Sequence, residues 1–469
     1  MSESVTAPSQ PGSQPELKRV IGPKLLLFFV VGDILGTGIY ALTGTVAGKV
    51  GGAAWLSFGL AFIVALFTAT SYLELVGKYP KAAGAALYTH KAFGIHLLTF
   101  MVAFTVMSSG LTSAAAASRA FGGTYLQELV GEFSNGTTIL VAIAFLAVLA
   151  GINFRGVAES VYLNVILTCV ELSGLLIIIV LGFMAFGEGV ADASRAFEFN
   201  EGNTFNLVIG GAALAFFAMV GFEDSVNMAE ETNDPPRTFP RALFAGILIT
   251  GVIYMLVAFF ATAIVPLNVL GESTGPLLEI VKIAAVGFPL WLFALIALFA
   301  VTNSALINLM MASRLIYGMA NQKVIPRWLG NVHPFRRTPW VAIIFTTLLA
   351  MGLTTSSQIS VLGGTTALLL LAVFAIVNGA VLILRRDPVS HYHFKAPTVF
   401  PILGIICCVY LVIPGLSGRP AIQYIVAGVL LGIGLILWLV TWIFHGRKTS
   451  TIDPTQLSEE PELPPEMRR

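Results

Sequence analysis

Four carboxylates sit inside stretches that are otherwise apolar. They are Asp33 in FFVVGDILGTGIY, Glu171 in ILTCVELSGLL, and the adjacent Glu223 and Asp224 in FFAMVGFEDSVNM. A charge at the centre of a bilayer costs about 2.5–3.5 kcal/mol on the insertion scale, so such residues are functional candidates by default. Asp33 and Glu171 have no basic residue nearby in their own runs. A protonatable acid beside a binding site can couple proton movement to transport. Simpler readings compete with this one. Glu171 can be a neutral acid that only packs, Asp33 can make an interhelical hydrogen bond, and Glu223 and Asp224 can lie close enough to one membrane face to be hydrated.

Asp33 adjoins a cluster of glycines. VGDILGTGIYALTG (31–44) holds Gly32, Gly36, Gly38 and Gly44 within one hydrophobic segment. Each interior glycine costs a helix about 1 kcal/mol against alanine. Thr37 between two of them invites a local unwinding, and the freed amides and carbonyls can bind a ligand where they line a cavity. The alternative is close helix packing through the GxxxG spacing of Gly32 and Gly36. The second acidic pair follows an aromatic pair and a glycine, Phe216, Phe217 and Gly221. Ser108, Ser109, Thr112, Asn303, Ser304 and Asn308 are weaker signals and read as interhelix hydrogen-bonding groups. No histidine cluster, nucleophile elbow, phosphate loop or metal-ligand constellation is present, so neither an enzyme nor an ATPase engine is expected. The six histidines are scattered, mostly in expected loops, and read as solvated. The three cysteines fall in apolar runs without disulfide or zinc spacing.

The elements that must position these groups are membrane helices. The 469 residues are 56% hydrophobic and 11% charged, with a mean hydropathy of +0.86. A water-soluble domain carries roughly 25% charged residues. Runs such as Trp55 to Ser71 and Val161 to Gly187 are of the order of the ~18 residues that license a spanning helix. They are too continuous for barrel strands. A net charge of +1 gives no electrostatic case for nucleic acid. The pattern predicts about twelve spans, near 24–48, 54–77, 95–121, 138–154, 159–187, 205–229, 240–266, 288–320, 340–354, 359–384, 398–416 and 422–445. Residues 1–20 and 447–469 are expected as cytosolic tails around a membrane domain over 21–446. The polar N-terminus has no signal-peptide pattern.

With the N-terminus inside, all but five of the 26 Lys and Arg residues fall on the inner side; Lys49, Arg119, Arg195, Lys282 and Arg419 go outside. That asymmetry follows the positive-inside rule and puts both termini in the cytoplasm. The loop EETNDPPRTFP (230–240) is expected to interrupt helix through its paired prolines. The basic loop 321–339 reads either as a topology anchor or as a gate.

The two glycine-bearing acidic segments occupy matching places, the first helix of each half, which points to a site between inverted repeats. Half-helix N-termini attract a carboxylate and unwound carbonyls an ammonium, so a zwitterion suits such a site.

At these residues the sequence resembles the amino acid–polyamine–organocation (APC) superfamily of permeases. ILGTGIY (34–40) is similar to that family's first-helix signature and ELVGKYPKAAGAALYTHKAFG (74–94) to its second-helix and loop signature. AFFAMVGFEDSVNMAEETNDPPRTFPRAL (215–243) resembles its sixth-helix signature, and SRLIYGMANQKVIP (313–326) the end of its eighth. The likeness runs from Ile21 to about Ala427. It implies an all-α integral membrane protein with the LeuT-like fold: a 5+5 inverted repeat plus two helices, working by alternating access around a midplane site. The substrate-binding residues it implies are Ile34, Gly36, Thr37 and Gly38 on the carboxylate side, and Phe216, Ala218, Met219 and Gly221 on the amine side. Phe217 would close over the substrate. Glu223 matches a gating or proton-sensing position, and Glu171 and Asp33 join it as proton-coupling or gating candidates. Two departures stand out. Some proton-coupled relatives have a Lys near the place of Glu171, standing in for sodium, so here the sign is reversed. Asp33 sits where many relatives have a small or apolar residue, which could favour a cationic amine.

The expectation is a proton-coupled amino acid permease of the cell membrane. It needs no cofactor beyond an ion gradient, with sodium the alternative ion and the oligomeric state open. A polyamine or organic-amine importer, or an amino acid exchanger, is the nearest alternative. A channel would need a polar stripe over several spans, and an amino acid sensor a long soluble domain.

Overall fold

Backbone amides in hydrocarbon have no water to bond, so apolar runs must satisfy their own hydrogen bonds as helices. The computed structural model follows this constraint. It describes residues 21–445 apart from 81–83, 156–159, 230–231, 286, 335, 337 and 357. The tails read at 1–20 and 447–469, and Lys81, Glu230, Glu231 and Arg337, lie outside the described residues.

Among the described residues, ten helical segments are long and apolar enough to cross a membrane. They are span one (Pro23–Val50), two (Ala54–Lys78), three (His96–Val130), four (Asn135–Arg155), five (Val165–Gly187), six (Thr204–Met228), seven (Pro235–Ile264), eight (Leu290–Asn321), ten (Ile359–Leu384) and twelve (Ala421–Phe444). The shorter apolar helices Trp340–Thr355 and Val399–Val412 take the places of spans nine and eleven. The expected all-helical membrane architecture is therefore present.

The packing partners obey a simple exchange rule. Span one packs on seven, and span six packs on two. Three packs on ten, and eight on five; one packs on five, and six on ten. The pairs three–eight, two–seven and four–nine are their own counterparts. Shifting every span number by five maps this set onto itself, which is the signature of two five-span repeats. Five is odd, so the second repeat enters the membrane from the opposite face to the first. The repeats are inverted for that reason alone.

Three local features depart from the sequence reading. Span seven begins at Pro235, not near residue 240, and contains Pro240. Pro235 and Pro236 occupy the first helical positions, where a missing N–H breaks no bond and the fixed φ favours helix. The prolines therefore start the helix, and the interruption ends at Asp234. Next, the segment between spans two and three folds as a helix, Gly84–Phe93, whose first six residues are buried. Finally, His90 and His96 lie on helices with rings 5.0 Å apart, and His96 Nδ1 is buried, so this pair is not simply solvated.

Spans two and ten are tied together by polar side chains. Ser71 Oγ donates to Asn378 Oδ1 (2.6 Å), and Asn378 Nδ2 donates to Thr68 Oγ1 (3.0 Å). At the end of both spans Arg385 makes a two-pronged pair with Glu74, Nε to Oε1 at 2.8 Å and Nη2 to Oε2 at 2.7 Å. Glu74 also accepts from the amide of Ala396 (2.8 Å), and Lys78 donates to the carbonyl of Leu384. Glu74 is 1% exposed. Removing one partner of a buried pair strands the other charge and costs about 3 kcal/mol. Glu74→Ala is therefore expected to lower the melting temperature of the purified protein clearly, with partial recovery in Glu74→Leu/Arg385→Met. An unchanged Tm in the single variant would show that the pair is not structural.

Candidate functional site

Span one is not one helix. Its first half, Pro23–Ile34, ends as the Leu35 amide bonds Val31 O at 2.8 Å. Leu35 and Gly36 are extended, and helix resumes over Thr37–Val50. Gly36 fits because Ser304 of span eight stands beside it: a Cβ there would lie 3.2 Å from Ser304 Oγ. The break carries the free amides of a helix N-terminus and the free carbonyls of a helix C-terminus to the same depth.

Span six breaks in the corresponding place. The helix Thr204–Ala215 tightens into a 3₁₀ turn over Phe216–Met219, Val220 is extended, and Gly221 has φ +126°. A second 3₁₀ turn, Asp224–Met228, continues the span. Gly221 is required twice over. Its φ is one that side-chain-bearing residues rarely adopt, and a Cβ would lie 2.4 Å from the carbonyl oxygen of Asp33.

The two breaks cross. Gly38 lies against the backbone of Ala218, where a Cβ would approach Ala218 Cα to 2.5 Å, while Gly221 lies against Asp33 and Ile34. The start of one half-helix thus meets the end of another, and their dipoles present partial positive and partial negative charge side by side. Of the sequence-derived residues, Ile34, Gly36, Thr37, Gly38, Phe216, Phe217, Ala218, Met219 and Gly221 all gather at this crossing. Thr37, Phe216, Phe217, Ala218 and Met219 are each at most 5% exposed. Phe217 leans on span ten, its ring 2.9 Å from the place of a Cβ on Gly363.

The acids lie around the crossing in different settings. Glu223 Oε2 accepts from the Gly221 amide (2.9 Å), so this carboxylate caps the break in its own span. Both carboxylate oxygens of Glu171 are buried without a hydrogen-bond partner, as is Asp33 Oδ2. Asp33 is within electrostatic reach of Asp224, Glu223 and Glu171. Thr168 joins this group: its hydroxyl is buried, has no partner, and faces Gly32, where a Cβ would overlap it. Thr37 Oγ1, Ser108 Oγ and Asn303 Nδ2 are likewise buried and unpartnered. Thr112, by contrast, bonds Thr366 of span ten (2.6 Å), as an interhelix group does, whereas Asn308 donates to Ser304 O one turn back in its own helix (2.8 Å). Among the described residues no cluster of His, Cys, Asp and Glu could hold a metal ion.

Three tyrosines pin the first break, and sequence reasoning passed over them. Tyr254 OH donates to Ile34 O (2.8 Å), the last carbonyl of the first half-helix. Tyr125 OH donates to Tyr40 O (2.7 Å), and Tyr40 OH donates to the backbone carbonyl of Glu171 (2.9 Å). Tyr125 is presented by a π-helical turn, Phe121–Tyr125, that extends span three. The available signal was a tyrosine inside an apolar run, because a buried phenol needs a hydrogen-bond partner.

A family model described as amino acid permease matches residues 21–444. The chain belongs to the amino acid permease family. This permease is a membrane transporter and not an enzyme. It is 26% identical over 460 residues to a branched-chain amino acid permease of Bacillus subtilis, covering 94% of this chain and 96% of the relative. It is 29% identical over 352 residues to chloroplastic cationic amino acid transporter 9 of Arabidopsis thaliana, covering 69% and 60% respectively. A methylthioribose transporter of Bacillus subtilis is 25% identical over 452 residues, covering 91% and 95%.

The crossing in this permease leaves no room for even a methyl group at Gly38. Overpacking against backbone costs about 1–3 kcal/mol, or roughly tenfold in a population. Gly38→Ala is expected to reduce uptake by at least that factor in proteoliposomes. Gly379→Ala, where a Cβ meets nothing within 4 Å, serves as control and keeps wild-type uptake. Equal uptake by the two variants would dissociate the crossing from transport.

Proposed function

We propose that this permease is a secondary active transporter of the cell membrane that carries an amino acid by alternating access, driven by protons, with both termini in the cytoplasm. The observation that carries this reading is the crossing of two broken helices. A zwitterion placed there meets free amides at the start of Thr37–Val50 and free carbonyls at the end of the 3₁₀ turn Phe216–Met219. The α-carboxylate is bound by the backbone of Gly36, Thr37 and Gly38, and the α-amine by carbonyls from Phe216 to Met219. Phe217 closes over the substrate, and Ile34 and Gly221 shape the floor.

Rearrangement of the paired breaks exposes the site to one face and then the other. Inverted repeats support this, because exchanging the conformations of the two repeats exchanges the open face. Glu171 is proposed as the proton carrier: it is fully buried and its carboxylate is free of hydrogen bonds. Glu223 is proposed to gate through its bond to Gly221. The positive-inside distribution supports the orientation.

A basic amino acid is favoured over a neutral one by a specific feature. Asp33 Oδ2 is unpartnered, and Glu171, Glu223 and Asp224 lie nearby. A second ammonium on the substrate would offset this excess of acid, and relatives named as cationic amino acid transporters are consistent with it.

The test is uptake of labelled neutral, acidic and basic amino acids and polyamines into proteoliposomes, with and without an inward proton gradient. Gradient-dependent accumulation of an amino acid is the expected result. Movement that needs internal substrate but no gradient would replace symport with exchange, and preference for a polyamine would replace the substrate class. Glu171→Gln is expected to depress concentrative uptake more than exchange; wild-type values in both assays would remove Glu171 from coupling. Asp33→Asn is expected to weaken basic substrates about tenfold relative to neutral ones, and an unchanged selectivity profile would count against that role.

A further inference from the structure

At the Val50 end of span one, away from the crossing, a cavity of about 180 Å³ lies between spans one, six and ten and the turn joining spans eleven and twelve. Its polar lining is Thr45, Lys49, Ser360, Arg419 and Gln423, with no carboxylate among the lining residues. Arg419 is 9% exposed. Its guanidinium donates through Nε to Leu411 O (2.9 Å), through Nη1 to Gly364 O (2.7 Å) and Gln423 Oε1 (3.0 Å), and through Nη2 to Ala213 O (2.7 Å). One Nη2 N–H is left over. Lys49 is half-buried and gives one of its ammonium hydrogens to Gly418 O (2.8 Å), leaving the others available.

Carbonyl groups satisfy part of the hydrogen bonding, but they carry no net charge. Lys49 and Arg419 are the charged side chains of the lining, both of the same sign, and among the described residues that line the cavity none is a carboxylate. Two like charges gathered at a partly buried site are unfavourable unless a counter-charge joins them. Lys49 does favour the C-terminus of its own half-helix, yet that partial charge cannot balance two cations. The cavity has room for a halide or a carboxylate group with its waters.

We propose that this cavity is a binding site for a small monovalent anion, chloride or a carboxylate, held by Lys49 and Arg419 with help from the hydroxyls of Thr45 and Ser360. Arg419 already fastens the carbonyl of Ala213 in span six to that of Gly364 in span ten. An anion bridging Arg419 to Lys49 adds the second half of span one to the same knot. Occupancy therefore stabilises the packing of spans one, six and ten against one another at this end of the molecule.

The test is the ³⁵Cl NMR linewidth of chloride with the full-length detergent-solubilised protein. Wild type is expected to give excess broadening. Lys49→Met is expected to weaken chloride binding about tenfold, as loss of a charge-assisted contact does, and Lys49→Arg to retain it. Absence of excess broadening in the wild type, or equal broadening in Lys49→Met, would overturn the proposal. Displacement by acetate and by a zwitterionic amino acid alike assigns the site to carboxylates; displacement by bromide but not acetate assigns it to halides. No transport is measured, so the result stands or falls independently of the proposed amino acid site.

Discussion

The close passage of two interrupted helices is the constraint on which the rest of the molecule depends. An open backbone at membrane depth is tolerable only when it is enclosed by protein. Spans one and six solve the problem jointly, each placing its break against the other's. Gly38 and Gly221 make the approach geometrically feasible, and Glu223 and Tyr254 take up polar groups that the interruption releases. The surrounding spans are arranged as this crossing requires, with seven and five against span one, and two and ten against span six.

The same crossing explains why acidic residues gather where they do. Every helix interruption offers both donors and acceptors, but the carboxylates near this one do not share a single role. Glu223 is consumed locally by the Gly221 amide, whereas Glu171 and Asp33 keep unpartnered oxygens. A carboxylate already committed to the backbone holds the break in shape. One without a partner keeps its hydrogen-bonding capacity unused, which is why the coupling and selectivity roles are proposed for Glu171 and Asp33.

Much of this was legible in the sequence, for identifiable reasons. The breaks could be read because glycines on both sides of a small polar residue weaken a spanning helix at that point. Asp33 and Glu171 could be read because acids are conspicuous among apolar neighbours. Other features depend on what arrives from elsewhere in the chain, and were hidden for that reason. Nothing adjacent to Gly36 announces Ser304, and nothing adjacent to Gly32 announces Thr168. Pro235 and Pro236 were misread because proline both ends and begins helices, and only the downstream packing of span seven decides which. Arg419 looked like an ordinary loop charge until its carbonyl partners came together.

The bond from Tyr254 to Ile34 spans 220 residues. During synthesis, span one is made before span seven, so its interruption lacks this clamp until span seven has been made. The first repeat therefore receives this clamp from a residue of the second, and its break is completed only when the second repeat is under way. For a protein built from two similar halves, folding is thus sequential in synthesis but joint in completion.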